Sequence, residues 1–244
     1  MSRSTSEVQL FNTCLAEGFF PSVPNAVEKV LRRLGVKVRR LRGSFCCGQV
    51  AFNEGLREPA QILARSFLRA CEVGTPVVLP SGSCSSMVRI FYSDLLTSTP
   101  DLAAKARALK PWLFEFSEFL VDVLKVTDLG ARFGHRVAYH PSCHLLRELK
   151  IRDQPIRLLG AVRDLELCSL PNPEECCGFG GLFSVKFPHI SAAMLDDKLK
   201  AIASSGAEVV TSNDGGCLMQ IAGGLSRLNS PITTLHLAEI LAST

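Results

Sequence analysis

The chain of 244 residues carries 47% hydrophobic and 20% charged side chains, a composition that fits one large or two smaller packed domains and excludes a disordered chain. No run approaches the ~18 uninterrupted apolar residues of a membrane helix, and residues 1–8 lack the apolar core of a secretion signal. A cytoplasmic protein is expected. Lys+Arg exceed Asp+Glu by four over residues 1–122 and equal them over the remainder, so the net charge of +4 leaves no basic footprint for nucleic acid.

In chain order, residues 8–11 read as a short strand running toward Cys14. Ala26, Val27, Val30, Leu31 and Leu34 share one face of a helix over 25–34, which Gly35 stops. Val36, Val38 and Leu41 alternate with Lys37, Arg39, Arg40 and Arg42, the pattern of a half-buried strand with a basic, solvated face that could also meet an acidic redox partner. A helix over 58–73 follows, then a buried strand from Thr75 that enters the turn Ser81-Gly-Ser-Cys84. The stretch 97–134 reads as a partly helical connection, with Phe114, Phe116, Phe119, Leu120, Val123 and Leu124 as an apolar stripe from Pro111 onward. Beyond it, strands over 136–140 and 165–168, a helix over 190–202, a strand ending in Asp214-Gly-Gly-Cys217 and a helix over 218–228 complete the chain.

Ten cysteines are the unusual feature, because structural disulfides rarely persist in a reducing compartment. Eight of them repeat: Cys14, Cys46, Cys47 and Cys84 recur as Cys143, Cys176, Cys177 and Cys217 with offsets of 129, 130, 130 and 133. The expected organisation is therefore a first α/β repeat over 1–96, the connection over 97–134, and a second repeat over 135–244. The expected fold class is α/β, with two Rossmann-like halves of parallel-sheet character. Parallel sheets bind ligands beyond the carboxyl ends of their strands, and all eight repeated cysteines fall in such loops.

Four thiolates per repeat is the number taken by an iron-sulfur cluster or by zinc, and the count alone does not choose between them. Gly48 and Gly178 permit a tight turn that lets backbone N–H groups approach sulfur. Cys84 and Cys217 precede helical runs, where the dipole favours an anionic centre. Cys71 and Cys168 have no repeat partner and read as a small core residue and a strand end. His140 and His144 flank Cys143, where a histidine could hydrogen-bond a thiolate or move a proton, whereas His135, His189 and His236 read as surface or structural residues. The run Gly178-Phe-Gly180-Gly181 is not a dinucleotide fingerprint, no P-loop is present, and no catalytic residue stands out.

The segments Cys46-Cys-Gly-Gln-Val-Ala-Phe-Asn53, Ser81-Gly-Ser-Cys84, Tyr139-His-Pro-Ser-Cys-His-Leu-Leu-Arg147, Cys176-Cys-Gly-Phe-Gly-Gly-Leu-Phe183, Cys217-Leu-Met-Gln-Ile-Ala-Gly-Gly224 and His236-Leu-Ala-Glu-Ile-Leu241 carry a resemblance that spans nearly the whole chain. They resemble the cysteine-rich CCG-domain family, which includes the B subunit of heterodisulfide reductase and the iron-sulfur subunit of glycolate oxidase. Within it they look like the lactate utilization protein A branch. That resemblance implies an oxidoreductase subunit that transfers electrons through iron-sulfur clusters. It would work with two partner proteins, one of ferredoxin type, in oxidising the 2-hydroxy acid L-lactate to pyruvate. It also implies ligand roles for Cys14, Cys46, Cys47 and Cys84, and for Cys143, Cys176, Cys177 and Cys217. The wider family often has Cys-x-x-Cys at the third element, but Ser81 and Asp214 stand at the first of those positions, so four-cysteine [4Fe-4S] centres, up to two per chain, are expected. Ser81 or Asp214 could add an oxygen ligand. Pro141 also departs from the pattern, which has an acidic residue there. The alternatives are a subunit of heterodisulfide-reductase or glycolate-oxidase type acting on another substrate, and an assembly module built on structural zinc.

Overall fold

The computed structural model describes residues 6–42 and 46–244. The stretch read for a secretion signal lies largely outside them. The chain divides into two compact units, Met1–Val126 and Thr127–Thr244. Unit 1 contains the strands β1 (Glu7–Leu10), β2 (Lys37–Arg40), β3 (Val77–Leu79) and β4 (Leu113–Glu115), and unit 2 contains β5 (Arg136–Tyr139), β6 (Glu166–Cys168), β7 (Val209–Ser212) and β8 (Thr233–His236). Each unit has one four-stranded sheet, ordered β2-β1-β3-β4 and β6-β5-β7-β8, and every pairing is parallel. The expected fold, two repeated α/β halves, is what forms.

The interior strands carry the pattern that burial on both faces demands. All residues of β3 and β7 are buried, whereas β2 and β6 at the sheet edges keep partial exposure. Val8 pairs with Val38 and Leu10 with Val78, while in unit 2 Val137 pairs with Leu167 and Ala138 with Val210. The helix Ser22–Arg33 buries Val23, Ala26, Val27, Val30 and Leu31 on one stripe. Arg57–Ala70 buries Ala60, Ala64, Phe67 and Leu68 in the same manner. The basic face of β2 is engaged within its own unit: Arg39 pairs with Glu7 and Glu72, and Arg40 with Glu28.

The stretch 97–134 holds helical backbone over Pro100–Leu109 and over 116–123, with a strand between them. Leu113–Glu115 pairs with β3 as the fourth strand of unit 1, so Phe114 of the apolar stripe lies in a strand and Phe116, Phe119, Leu120 and Val123 lie in the helical turns that follow it. The cause is a capping box: Glu115 Oε2 accepts from the Ser117 and Glu118 amides, and Glu118 accepts from the Glu115 amide in return. His236 and Glu239 build the same device at the end of β8. The repeat therefore extends through the fourth strand, and residues 127–134 belong to unit 2.

Two glycines shape the cysteine loops. Gly48 has φ +86° and Gly178 φ +85°, the left-handed region, and they pack against the helices Arg57–Ala70 and Pro188–Ser204 respectively. A Cβ on Gly48 would stand 3.1 Å from the Ala60 carbonyl oxygen, whereas one on Gly178 would stand 2.5 Å from that of Ser191. Gly48→Ala should therefore destabilise unit 1 by about 1–2 kcal/mol from backbone strain, and Gly178→Ala should destabilise unit 2 by about 3 kcal/mol or more, because overpacking adds to the strain. Urea unfolding of the two variants measures the difference, and equal losses would contradict the contact geometry.

Candidate metal centres

Each strand order reverses at its first strand: β1 lies between β2 and β3, and β5 between β6 and β7. Three loops thus leave the carboxyl edge of three adjacent strands, around the switch point where parallel sheets bind ligands. Cys14 follows β1, Cys46 and Cys47 follow β2, and Cys84 follows β3; Cys143, Cys176 with Cys177, and Cys217 follow β5, β6 and β7.

Local structure fixes each thiol. Cys14 opens the helix Cys14–Phe19, which Thr13 caps by accepting from the Ala16 amide at 3.2 Å. The Cys47 carbonyl accepts from the buried Tyr92 hydroxyl at 3.0 Å, which ties the doubled cysteines to the core of unit 1. Ser81 caps the helix Gly82–Ser86 through the Cys84 amide at 3.2 Å. Asp214 caps Gly215–Arg227 through the Gly216 amide at 3.1 Å. Both side chains considered as extra oxygen ligands are thus helix caps. In unit 2 the doubled cysteines are held from two sides. Ser191 Oγ donates to the Gly178 carbonyl at 2.8 Å, and Lys198 Nζ donates to the carbonyls of Asn172 and Pro173 at 3.1 and 3.3 Å.

The structure brings the eight repeated cysteines together as two sets of four. In unit 1 the thiols of Cys14, Cys46, Cys47 and Cys84 lie close enough to shift one another's ionisation. In unit 2 those of Cys143, Cys176, Cys177 and Cys217 do the same. Within each set one thiol takes the charge. Cys46 is pulled down to about 3 by hydrogen bonds from Cys14, Cys47 and the Gly48 amide, the last at 3.4 Å. Cys176 is pulled down to about 2 by Cys143, Cys177 and the Gly178 amide, again at 3.4 Å. The donors pay the reverse: Cys14 and Cys47, like Cys143 and Cys177, are raised well above the ordinary thiol range by sharing their protons and by burial. Four sulfurs this close cannot all ionise without a cation among them. All ten cysteines are free thiols.

Exposure is graded across each set. Cys14 is exposed, Cys46, Cys143 and Cys176 are half-buried, and Cys47, Cys84, Cys177 and Cys217 are buried. Cys71 lies in the core of unit 1, where burial pushes it up to about 12, and Cys168 lines a cavity of about 350 Å³ with Tyr139, Pro141 and Arg152. Neither joins a cysteine set.

The histidines take different places in the fold. His236, read as surface or structural, is buried and caps the helix Leu237–Ala242 through the Ala238 amide. The sequence signal was the repeat itself, since Glu115-Phe-Ser-Glu118 and His236-Leu-Ala-Glu239 share the spacing of a capping box. His140 is fully buried, and burial, together with the charge of Lys198, pushes it down to about 3. Its ligand atom and the sulfurs of Cys177 and Cys217 all lie within 4.8 Å of one another. The donor set fits a thiophilic metal or cluster.

The comparisons with known proteins agree with this geometry. The model of the CCG family, described as a cysteine-rich domain, matches residues 8–89 and 137–222, once in each unit. A Bacillus pumilus protein named lactate utilization protein A is 44% identical over 97% of this chain and 99% of its own length. A Geobacillus kaustophilus protein of the same name is 43% identical over 96% of this chain and 98% of its own length. A crystal structure of a hypothetical protein from Helicobacter pylori shares the fold with a TM-score of 0.65 at 13% identity, covering 98% of this chain and 49% of that one. With two domain matches in one chain and close relatives along nearly its full length, the chain belongs to the cysteine-rich CCG-domain family, alongside the lactate utilization A proteins.

Proposed function

We propose that this chain is an iron-sulfur electron-transfer subunit of a system that oxidises L-lactate to pyruvate. The observation that carries the reading is the convergence of four thiols at the carboxyl edge of each sheet, in a chain whose relatives are named for lactate utilization. Cys14, Cys46, Cys47 and Cys84 would hold one [4Fe-4S] cluster and Cys143, Cys176, Cys177 and Cys217 the other. Such a cluster supplies one-electron chemistry at a potential set by its ligands, hydrogen bonds and burial. The chain's own part is to hold the thiols in place and to keep water from the inner sulfurs, through the buried Cys47, Cys84, Cys177 and Cys217. The Gly48 and Gly178 amides spread negative charge off Cys46 and Cys176. Cys14 in unit 1, and the half-buried Cys143 and Cys176 in unit 2, give the outward edge across which electrons pass to a partner. The partners are two further lactate-utilization proteins, one of ferredoxin type.

Structural zinc is the second reading, favoured by the close grouping of His140, Cys177 and Cys217. Anaerobic purification with iron, sulfide and zinc quantification separates the two. Iron and sulfide should each approach about eight per chain for two four-iron centres. Cys46→Ser and Cys176→Ser should each remove about half of both. Zinc without sulfide would overturn the electron-transfer reading. Adding L-lactate should reduce the clusters, seen as bleaching of visible absorption, only when the two partner proteins are present. Reduction by the isolated chain would instead place substrate oxidation on this subunit.

A further inference from the structure

Beneath the cysteines, the two units differ. In unit 1 the residue after β1 is Phe11, whose ring meets that of Phe67 edge-on at 5.0 Å. In unit 2 the same two positions are His140 and Lys198. Backbone geometry sets the first equivalence: the Phe11 amide donates to the Val78 carbonyl at 3.0 Å, and the His140 amide donates to the Thr211 carbonyl at 2.8 Å, each across to the neighbouring interior strand. The glycines set the second. Gly48 faces Ala60 and Leu63 where Gly178 faces Ser191 and Met194, and the same offset of 131 residues carries Phe67 to Lys198.

An apolar floor of two rings packed edge-to-face has thus become an imidazole beside an ammonium. His140 is fully buried, and neither ring nitrogen has a hydrogen-bond partner among the described residues. A buried polar group left unpartnered is costly, and a native fold keeps one only where something else satisfies it. One ring nitrogen is grouped with the sulfurs of Cys177 and Cys217, all within 4.8 Å of one another, and imidazole is a good ligand for iron and for zinc alike. The Lys198 ammonium is occupied by the Asn172 and Pro173 carbonyls, which leaves the imidazole as the group directed at the sulfurs.

We infer that His140 is a fifth donor to the centre of unit 2, joining Cys143, Cys176, Cys177 and Cys217, whereas unit 1 offers four thiols over an apolar floor. The inference rests on the iron-sulfur reading above and makes the two centres chemically unequal.

Pulsed EPR on the full chain, loaded anaerobically, labelled with ¹⁵N-histidine and reduced by one electron per cluster with dithionite to the paramagnetic state, tests it. In a Cys46→Ser background, which leaves the centre of unit 2, a nitrogen coupling of directly bonded strength should appear and should change from the ¹⁴N to the ¹⁵N pattern on labelling. It should survive His144→Ala and vanish in His140→Phe. In a Cys176→Ser background, which leaves the centre of unit 1, it should be absent. Should His140→Phe not fold, His140→Gln keeps a polar side chain of similar reach, and the labelled parent with His144→Ala still decides. Iron and sulfide without a histidine coupling, or with one of only hydrogen-bond strength, would overturn the inference and leave the proposed function standing. A chain that takes up neither iron nor sulfide would overturn both.

Discussion

Parallel pairing of one central strand with two neighbours is the constraint on which everything else in each unit depends. Because β1 is hydrogen-bonded to both β2 and β3, and β5 to both β6 and β7, the chain must return to the same sheet edge three times. Each return needs a crossover of a dozen residues or more, which is why cysteines 31 to 39 residues apart become neighbours. Antiparallel hairpins would have delivered alternate loops to opposite edges. The metal-binding capacity of the fold is a property of strand direction before it is a property of cysteine.

Gathering four thiols opposes their ionisation, and the fold meets that cost locally. The Gly48 and Gly178 amides reach sulfur only because those residues adopt a left-handed conformation. Thr13, Ser81 and Asp214 close helix ends beside the cysteines, and Tyr92 and Lys198 hold the doubled cysteine loops from the core side. Cap and tether act on backbone, and the glycine amides donate only to Cys46 and Cys176, so the sulfur atoms keep lone pairs for a ligand.

The cysteine spacing made the duplication legible, because spacing repeats are insensitive to the surrounding sequence, and the alternation of strands and helices made the α/β class so. The boundaries of the repeat were less so. Leu113–Glu115 is too short for a strand period to emerge, and the phenylalanines after it continue the apolar run into helical turns, so the stretch read as a partly helical connection with no strand in it. Its true marker was the Glu115-x-x-Glu118 spacing, with a histidine in the matching place at His236. The environment of His140 was invisible for a different reason. A histidine beside a cysteine can face solvent, a turn or the core, and only the strand register of β5 settles that it lies fully buried among the sulfurs.

The exchange of Phe67 for Lys198 has a consequence of its own. A positive charge in a medium of low polarisability acts over several ångströms with little screening, so it biases whatever anionic species sits above it. Phe67 offers no such counterbalance. With the two halves otherwise so alike in backbone, Lys198 sets a positive charge within reach of the cysteines of unit 2 where unit 1 has an aromatic ring. Duplication gave the chain two copies of one receptacle; the exchanges beneath them give the two copies different electrostatic settings.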